Sequence, residues 1–244
     1  MINLAASLSI LGQKNLIIDL DPQGNATTGN GKSNNDNNKN IYNILISKIS
    51  LSDGILKTNL KNLDIIGSNV DLSGLEVETA NDSKRAFILK NILDENKKVI
   101  SNYDNIFIDC PPSLSLLTIM ALVAAKETLV PLQTEFFALE GVTQLMKTID
   151  RIKINLNQEL KMRGILLTMF DKRNKLSTQV DTEARNHFRD KVYTTVIPRN
   201  VRLSEAPSHG QPCVIYDKNC PGSKSYFELA KEFMNQTQKL GSAA

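Results

Sequence analysis

Apolar residues fall in short clusters, and between them lie longer stretches whose apolar positions recur at helical spacing. Asn-Leu-Ile-Ile-Asp-Leu (15–20) is a compact β-rich apolar run, the mark of a strand buried in a parallel sheet. Four more segments read the same way: 62–69 (NLDIIGSN), 127–133 (ETLVPLQ), 162–171 (MRGILLTMFD) and 192–198 (VYTTVIP). A sixth, 103–113 (YDNIFIDCPPS), is a strand that runs into Pro111-Pro112, and the double proline must stop it. Helical spacing marks 83–96, 139–154, 177–188 and 223–236, while the small and apolar residues from Ile2 suit a helix ending at Gly12, a C-cap residue. Residues 30–40 hold six asparagines and no apolar side chain, which predicts a solvated loop.

Strands alternating with helices predict an α/β fold with a mostly parallel sheet flanked by helices. No internal repeat or linker interrupts the pattern, so the 244 residues read as one domain. With 41% apolar and 23% charged residues the chain is globular rather than disordered, and its net charge of +3 allows a local basic patch without arguing for one. Cys110, Cys213 and Cys220 form no CxxC pair and only two histidines accompany them, which argues against a disulfide framework or a zinc site and for a reducing, cytoplasmic setting. The opening residues lack the positive start and cleavage context of a secretory leader, and no apolar run reaches membrane-spanning length.

In such folds ligands sit beyond the carboxyl ends of the strands. Asp19-Leu20-Asp21-Pro22-Gln23-Gly24-Asn25 follows one strand, Asp109-Cys110-Pro111-Pro112-Ser113 another, and Pro198-Arg199-Asn200 the last. Two acidic tips converging on one edge suit Mg²⁺, which takes one or two carboxylates together with waters and phosphates. Taken singly, an aspartate at a strand end more often caps a helix or starts a turn. A second phosphate-like signal is Gly31-Lys32-Ser33 in ATTGNGKSNN (26–35), but Ala26 stands where the full loop pattern needs glycine. A phosphate loop must lead straight into a helix, and this triplet leads into the asparagine-rich run, so it reads as a chance spelling.

Four long stretches carry a resemblance: NLAASLSILGQKNLIIDLDPQGNATTG, YDNIFIDCPPSLSLLTIMAL, PLQTEFFALEGVTQL and IPRNVRLSEAPSHGQP. Through them the chain resembles the ParA/Soj family of chromosome- and plasmid-partitioning ATPases, deviant-Walker P-loop NTPases related to MinD. The resemblance implies a single ParA-type ATPase domain over 1–244 that binds ATP and Mg²⁺ and forms a nucleotide-sandwich homodimer. It also implies nonspecific binding of double-stranded DNA on the nucleoid and hydrolysis stimulated by a ParB/Spo0J-type partner. By position, Asp21 matches the switch I aspartate that orients the attacking water, Asp109 the switch II aspartate that holds Mg²⁺ through water, and Pro198 and Asn200 residues that line the adenine. Among the basic residues of the C-terminal half, Arg199, Arg202, Lys218 and Lys224 are the candidates for contacts to DNA phosphates, with an ordinary solvated surface as the alternative.

In the family, a strand and a KGGVGKTT loop come immediately before the helix that here begins INLAAS. The chain as written starts inside that helix, so the first strand and the P-loop are expected to be absent, by a misplaced start or by a shortened gene product. The expectation that follows is weak or absent ATP binding, because the loop amides and lysine supply most of the positioning in phosphoryl transfer. A strand lost from the centre of the sheet would also leave backbone groups in need of partners. A non-catalytic adaptor and a MinD-like positioning ATPase are the competing functions, although the polar end of the last helix argues against a membrane anchor. Cys110 reads as a small buried residue, and His187 and His209 as structural or surface residues.

Overall fold

The structure, a computed structural model, describes residues 1–33, 38–135 and 138–241. Helix α1 (Ile2–Ile10) leads through Gly12, at φ +96°, into β1 (Asn15–Asp19), all of whose residues are buried. β1 is apolar throughout its centre because parallel neighbours flank it on both sides. It pairs with β3 (Leu63–Ile66), setting Ile18 against Ile66, and with β4 (Asn105–Asp109), setting Asp19 against Asp109. A two-residue strand, β2 (Leu56–Lys57), adds an antiparallel edge to β3. Between β1 and β2 lie the short helices α2 (Asn25–Gly29), α3 (Ile41–Leu45) and α4 (Leu51–Gly54). Asn40 and Ser50 cap the latter two by accepting from the amides of Asn43 and Asp53, the reason such short pieces start where they do.

After β3 come α5 (Leu75–Glu78), α6 (Ile88–Glu95), α7 (Lys97–Ile100) and, beyond β4, α8 (Leu116–Ala124). Leu16, Ile18 and Ile66 bury one face of the sheet against Ile41 of α3, Leu89 and Leu93 of α6 and Met120 of α8. β5 (Glu127–Gln133) and β6 (Lys161–Thr168) pair in parallel and carry α9 (Ala138–Asn155) and α10 (Lys175–Phe188). The chain ends with α11 (Val201–Glu205), α12 (Cys213–Tyr216) and α13 (Pro221–Gly241). The fold is α/β, and among the described residues three of the four strand pairings are parallel.

The single sheet of the sequence reading is, among the described residues, two ladders of order β2-β3-β1-β4 and β5-β6. Side chains join them: Phe107 of β4 and Leu129 of β5 pack on a cluster built from Leu4, Leu8, Leu166 and Phe233. β4 is only half-buried along its length, in contrast to β1.

Segment 192–198 departs from its expected strand. It touches β6 through one isolated bridge, Ile165 with Val192, and the chain just past β6 through another, Phe170 with Pro198. The amides of Thr194 and Thr195 donate to the Glu232 carboxylate of α13 at 2.7 and 2.9 Å, so they are spent on a side chain rather than on a ladder. Pro198 has no amide to add.

Candidate functional site

The carboxyl ends of β1 and β4 lie side by side, and the Leu20 amide donates to the Asp109 carbonyl at 2.7 Å. Asp19 is fully buried there. Its Oδ2 accepts from the Thr27 amide at 2.8 Å and the Thr27 hydroxyl at 2.6 Å, and its Oδ1 from the Asp21 amide at 3.2 Å. The Thr27 oxygen in turn accepts from the Ser68 amide at 2.9 Å, tying α2 to both β1 and the end of β3. Burial pushes the Asp19 carboxyl up to about 6, with the Thr27 hydrogen bonds opposing. Sequence reasoning gave Asp19 no role of its own. Its place as the last residue of a fully buried strand was the available signal.

Asp21 sits one turn further out, where Oδ1 accepts from the Gln23 amide at 3.0 Å and its carbonyl accepts from Gly24 at 2.9 Å. Gly24 takes φ +62°, a left-handed conformation open to glycine, and so turns the chain into α2. Burial first, and the Asp21 charge after it, raises the Asp109 carboxyl above its ordinary range. Asp19, Asp21 and Asp109 therefore meet at one edge, as the strand-end reading requires. Cys110 is exposed rather than buried, because it follows the last residue of β4 as the chain turns outward into Pro111-Pro112.

Asn200 accepts from the Arg202 amide at 3.1 Å and caps α11. The segment beyond it returns to α2, and there Gly31 and Gly210 meet backbone to backbone. A Cβ on Gly31 would stand 2.8 Å from the Gly210 carbonyl oxygen, and one on Gly210 would stand 2.9 Å from the Gly31 Cα. Thus Pro198 and Asn200 open a segment that packs beside α2, the helix after the Asp21 loop. Gly31 serves that contact; no helix begins at Lys32 or Ser33, and residues 34–35 lie outside the described residues.

The basic candidates are not alike. Arg199 lies 3.7 Å from Glu135, and Arg202 lies 2.8 Å from Glu205 and 3.6 Å from Asp217. Lys218 and Lys224 are exposed and make no ion pair among the described residues. Arg173 grips Asp171 through two nitrogens and holds that carboxyl down at about 2. Leu229, Ala230 and Phe233 turn the apolar face of α13 into the core. Among the described residues no helix is long and apolar enough to cross a membrane. A cleft of about 480 Å³ between α9 and α10 contains none of the site residues.

Among the described residues no cluster of three or more His, Cys, Asp or Glu side chains is arranged to hold a metal directly. Asp21 and Asp109 fit a hard cation that keeps its waters and takes its remaining ligands from phosphate oxygens.

Residues 1–162 match a family model described as an AAA domain. The chain is 47% identical to the chromosome partitioning protein ParA of Caulobacter vibrioides, over 96% of this chain and 88% of that protein. It is equally 47% identical to the sporulation initiation inhibitor protein Soj of Bacillus subtilis, over 95% of this chain and 90% of the relative. Among solved structures, cobyrinic acid a,c-diamide synthase of Mycobacterium smegmatis with bound ADP and magnesium superposes with a TM-score of 0.83 at 28% identity, covering 97% of this chain and 87% of the other.

Proposed function

Because this chain belongs to the ParA/Soj family of chromosome-partitioning ATPases, we propose that it partitions a chromosome or plasmid by that family's cycle. Residues 1–244 then form a single ParA-type ATPase domain with the fold of the P-loop NTPases. In that cycle the protein dimerises on ATP, binds double-stranded DNA on the nucleoid without sequence preference, and lets go after hydrolysis stimulated by a ParB-type partner; the ATP-dependent steps need a KGGVGKTT loop, which residues 1–244 do not contain. The observation that carries the reading is the pairing of Asp19 with Asp109 at the ends of adjacent parallel strands, with Asp21 just beyond.

Each residue has its own task. Asp21 orients the attacking water through its carboxylate. Asp19 anchors the turn that carries Asp21, by holding the Asp21 amide and the helix that follows. Asp109 holds Mg²⁺ through water, and the ion, when bound, neutralises phosphate charge. Pro198 and Asn200 line the adenine. Arg199, Arg202, Lys218 and Lys224 meet DNA phosphates. Apolar burial of the Leu229–Phe233 stripe supports a role on DNA over one on a membrane.

ATP hydrolysis by the full-length protein with DNA and its partner tests this reading. Asp21→Ala should keep nucleotide-dependent DNA binding and lose the stimulated hydrolysis. Wild-type turnover in Asp21→Ala would overturn the assignment.

A further inference from the structure

Two thiols that the sequence placed seven residues apart meet in the fold. Cys213 Sγ and Cys220 Sγ are 3.6 Å apart, both free and both buried. Cys213 opens α12, and its amide donates to Asn3 Oδ1 at 2.6 Å, docking α12 on α1. Cys220 stands just before α13, where the Ser223 amide donates to its sulfur at 3.3 Å. The Cys220 thiol donates to Ser223 Oγ at 3.3 Å, and the Ser223 hydroxyl donates to Cys213 Sγ at 3.4 Å, so one serine links the pair.

We propose that Cys213 and Cys220 are a peroxide-sensitive dithiol that closes a disulfide between α12 and the start of α13. The two sulfurs play different parts. Cys220 stands just before the 21-residue helix α13, and its residue is 7% exposed against 0% for Cys213. Hydrogen peroxide therefore reaches Cys220 first: its sulfur attacks one peroxide oxygen, the O–O bond breaks, the released hydroxide takes the thiol proton to leave as water, and Cys220 becomes a sulfenic acid. The Cys213 sulfur then attacks the Cys220 sulfur, the S–O bond breaks, and the released hydroxyl takes the thiol proton to leave as water. The oxidant is the peroxide, and each disulfide consumes one molecule of it. Burial holds the Cys213 thiol up at about 11, which suits a resolving group that stays protonated until the sulfenate forms beside it.

Closing the bond brings the sulfurs about 1.5 Å nearer, to the usual disulfide length. It also joins the end of the segment that begins at Pro198 to the longest helix of the fold. Arg202 reaches Asp217 inside the closed loop, so the tether bears on a DNA-contact candidate as well. The thiol contact itself rests on none of the nucleotide chemistry.

Peptide mapping of the full-length protein tests the site. After brief treatment with hydrogen peroxide and alkylation of remaining thiols, trypsin cuts at Lys218, between the two cysteines. The expected product is two peptides held by a bond that dithiothreitol opens, two hydrogens lighter than their sum, with Cys110 recovered separately. Cys213→Ser should instead accumulate a sulfenate on Cys220 that dimedone traps. Amides of 200–217 should exchange hydrogen more slowly in the oxidised protein. Recovery of both cysteines as thiols, or as sulfinic acids with no linked peptide, overturns the site. Linked protein with unchanged exchange over 200–217 overturns the tether.

Discussion

Thr27 gives both its amide and its hydroxyl to the carboxylate of Asp19, at 2.8 and 2.6 Å, inside a region with no access to water. The bond fastens α2 to the end of β1 and thereby fixes the path of the Asp21 loop between them. Because burial outweighs these donors, the Asp19 carboxyl sits at about 6 rather than near 3.8. An acid whose folded pKa lies above its unfolded one binds its proton more tightly when folded. Its stabilising contribution is therefore full below about pH 4 and lost as pH rises through about 6, a change on the order of 3 kcal/mol for a gap of this size. Urea denaturation between pH 4 and 7 should show stability falling with pH in that window. Asp19→Asn should flatten the slope, leaving only what Asp109, shifted in the same direction, contributes.

Thr27→Val keeps the shape of the side chain and removes the hydroxyl. The Ser68 amide then loses its acceptor and Asp19 loses a donor, both in buried surroundings. The expected loss is about 2–3 kcal/mol by chemical denaturation. Thr27→Ser retains the hydroxyl and should lose only about 1 kcal/mol, from the methyl that packs against Gly67. Equal losses in the two variants would mean that packing, not the hydroxyl, holds α2.

Much of this arrangement was legible in the chain. β1, β3, β4, β5 and β6 were found because buried parallel strands leave contiguous apolar runs, and α9, α10 and α13 because their apolar positions keep helical spacing. What failed depended on partners distant in sequence. VYTTVIP has every local mark of a strand, yet Glu232 takes two of its amides. The short helices α2–α5, α11 and α12 hold too few residues to show a period. Asp19 and Asp21 look equivalent in DLD, and only the fold separates a buried anchor from an outward one. Cys213 and Cys220 gave no metal spacing, and their contact needs the α12–α13 corner to exist.

Arg163 on β6 donates to Glu127 on β5, to the Tyr193 hydroxyl and to the Phe233 carbonyl, and lies 3.5 Å over the Phe233 ring. Its side chain is 7% exposed, so it serves as an internal clamp between β5, β6 and α13. Arg163→Met fills similar volume but strands those partners, and should cost about 2–4 kcal/mol in urea denaturation. Arg163→Lys keeps the charge without the planar fork and should recover part of the loss.

The Gly31-Lys32-Ser33 triplet makes a sharp test of motif against context. If it were a phosphate loop, Lys32 would be indispensable to nucleotide binding. Gly31 instead packs on Gly210 at φ +71°, where a side chain is strained and meets backbone. Lys32→Ala should leave the protein's ATP affinity unchanged in calorimetric titration and its stability within about 0.5 kcal/mol. Gly31→Ala should destabilise it by about 1–3 kcal/mol, measured by denaturation. A large loss of ATP affinity in Lys32→Ala would return the triplet to the phosphate site.

Lys218 and Lys224 differ from Arg202 in a way that DNA binding should reveal. Arg202 stands between Glu205 and Asp217, so its charge is partly met before any phosphate arrives. The two lysines are exposed and have no ion-pair partner among the described residues. A contact to a DNA phosphate releases about one counterion, so removing one lysine should lower the slope of log affinity against log salt by about 1. Lys218→Ala and Lys224→Ala should each do so equally on unrelated DNA sequences, since phosphate contacts carry no sequence information. Arg202→Ala should change the slope less, because the same substitution frees two carboxylates. Slopes equal to the wild type in both lysine variants would assign these side chains to the ordinary solvated surface.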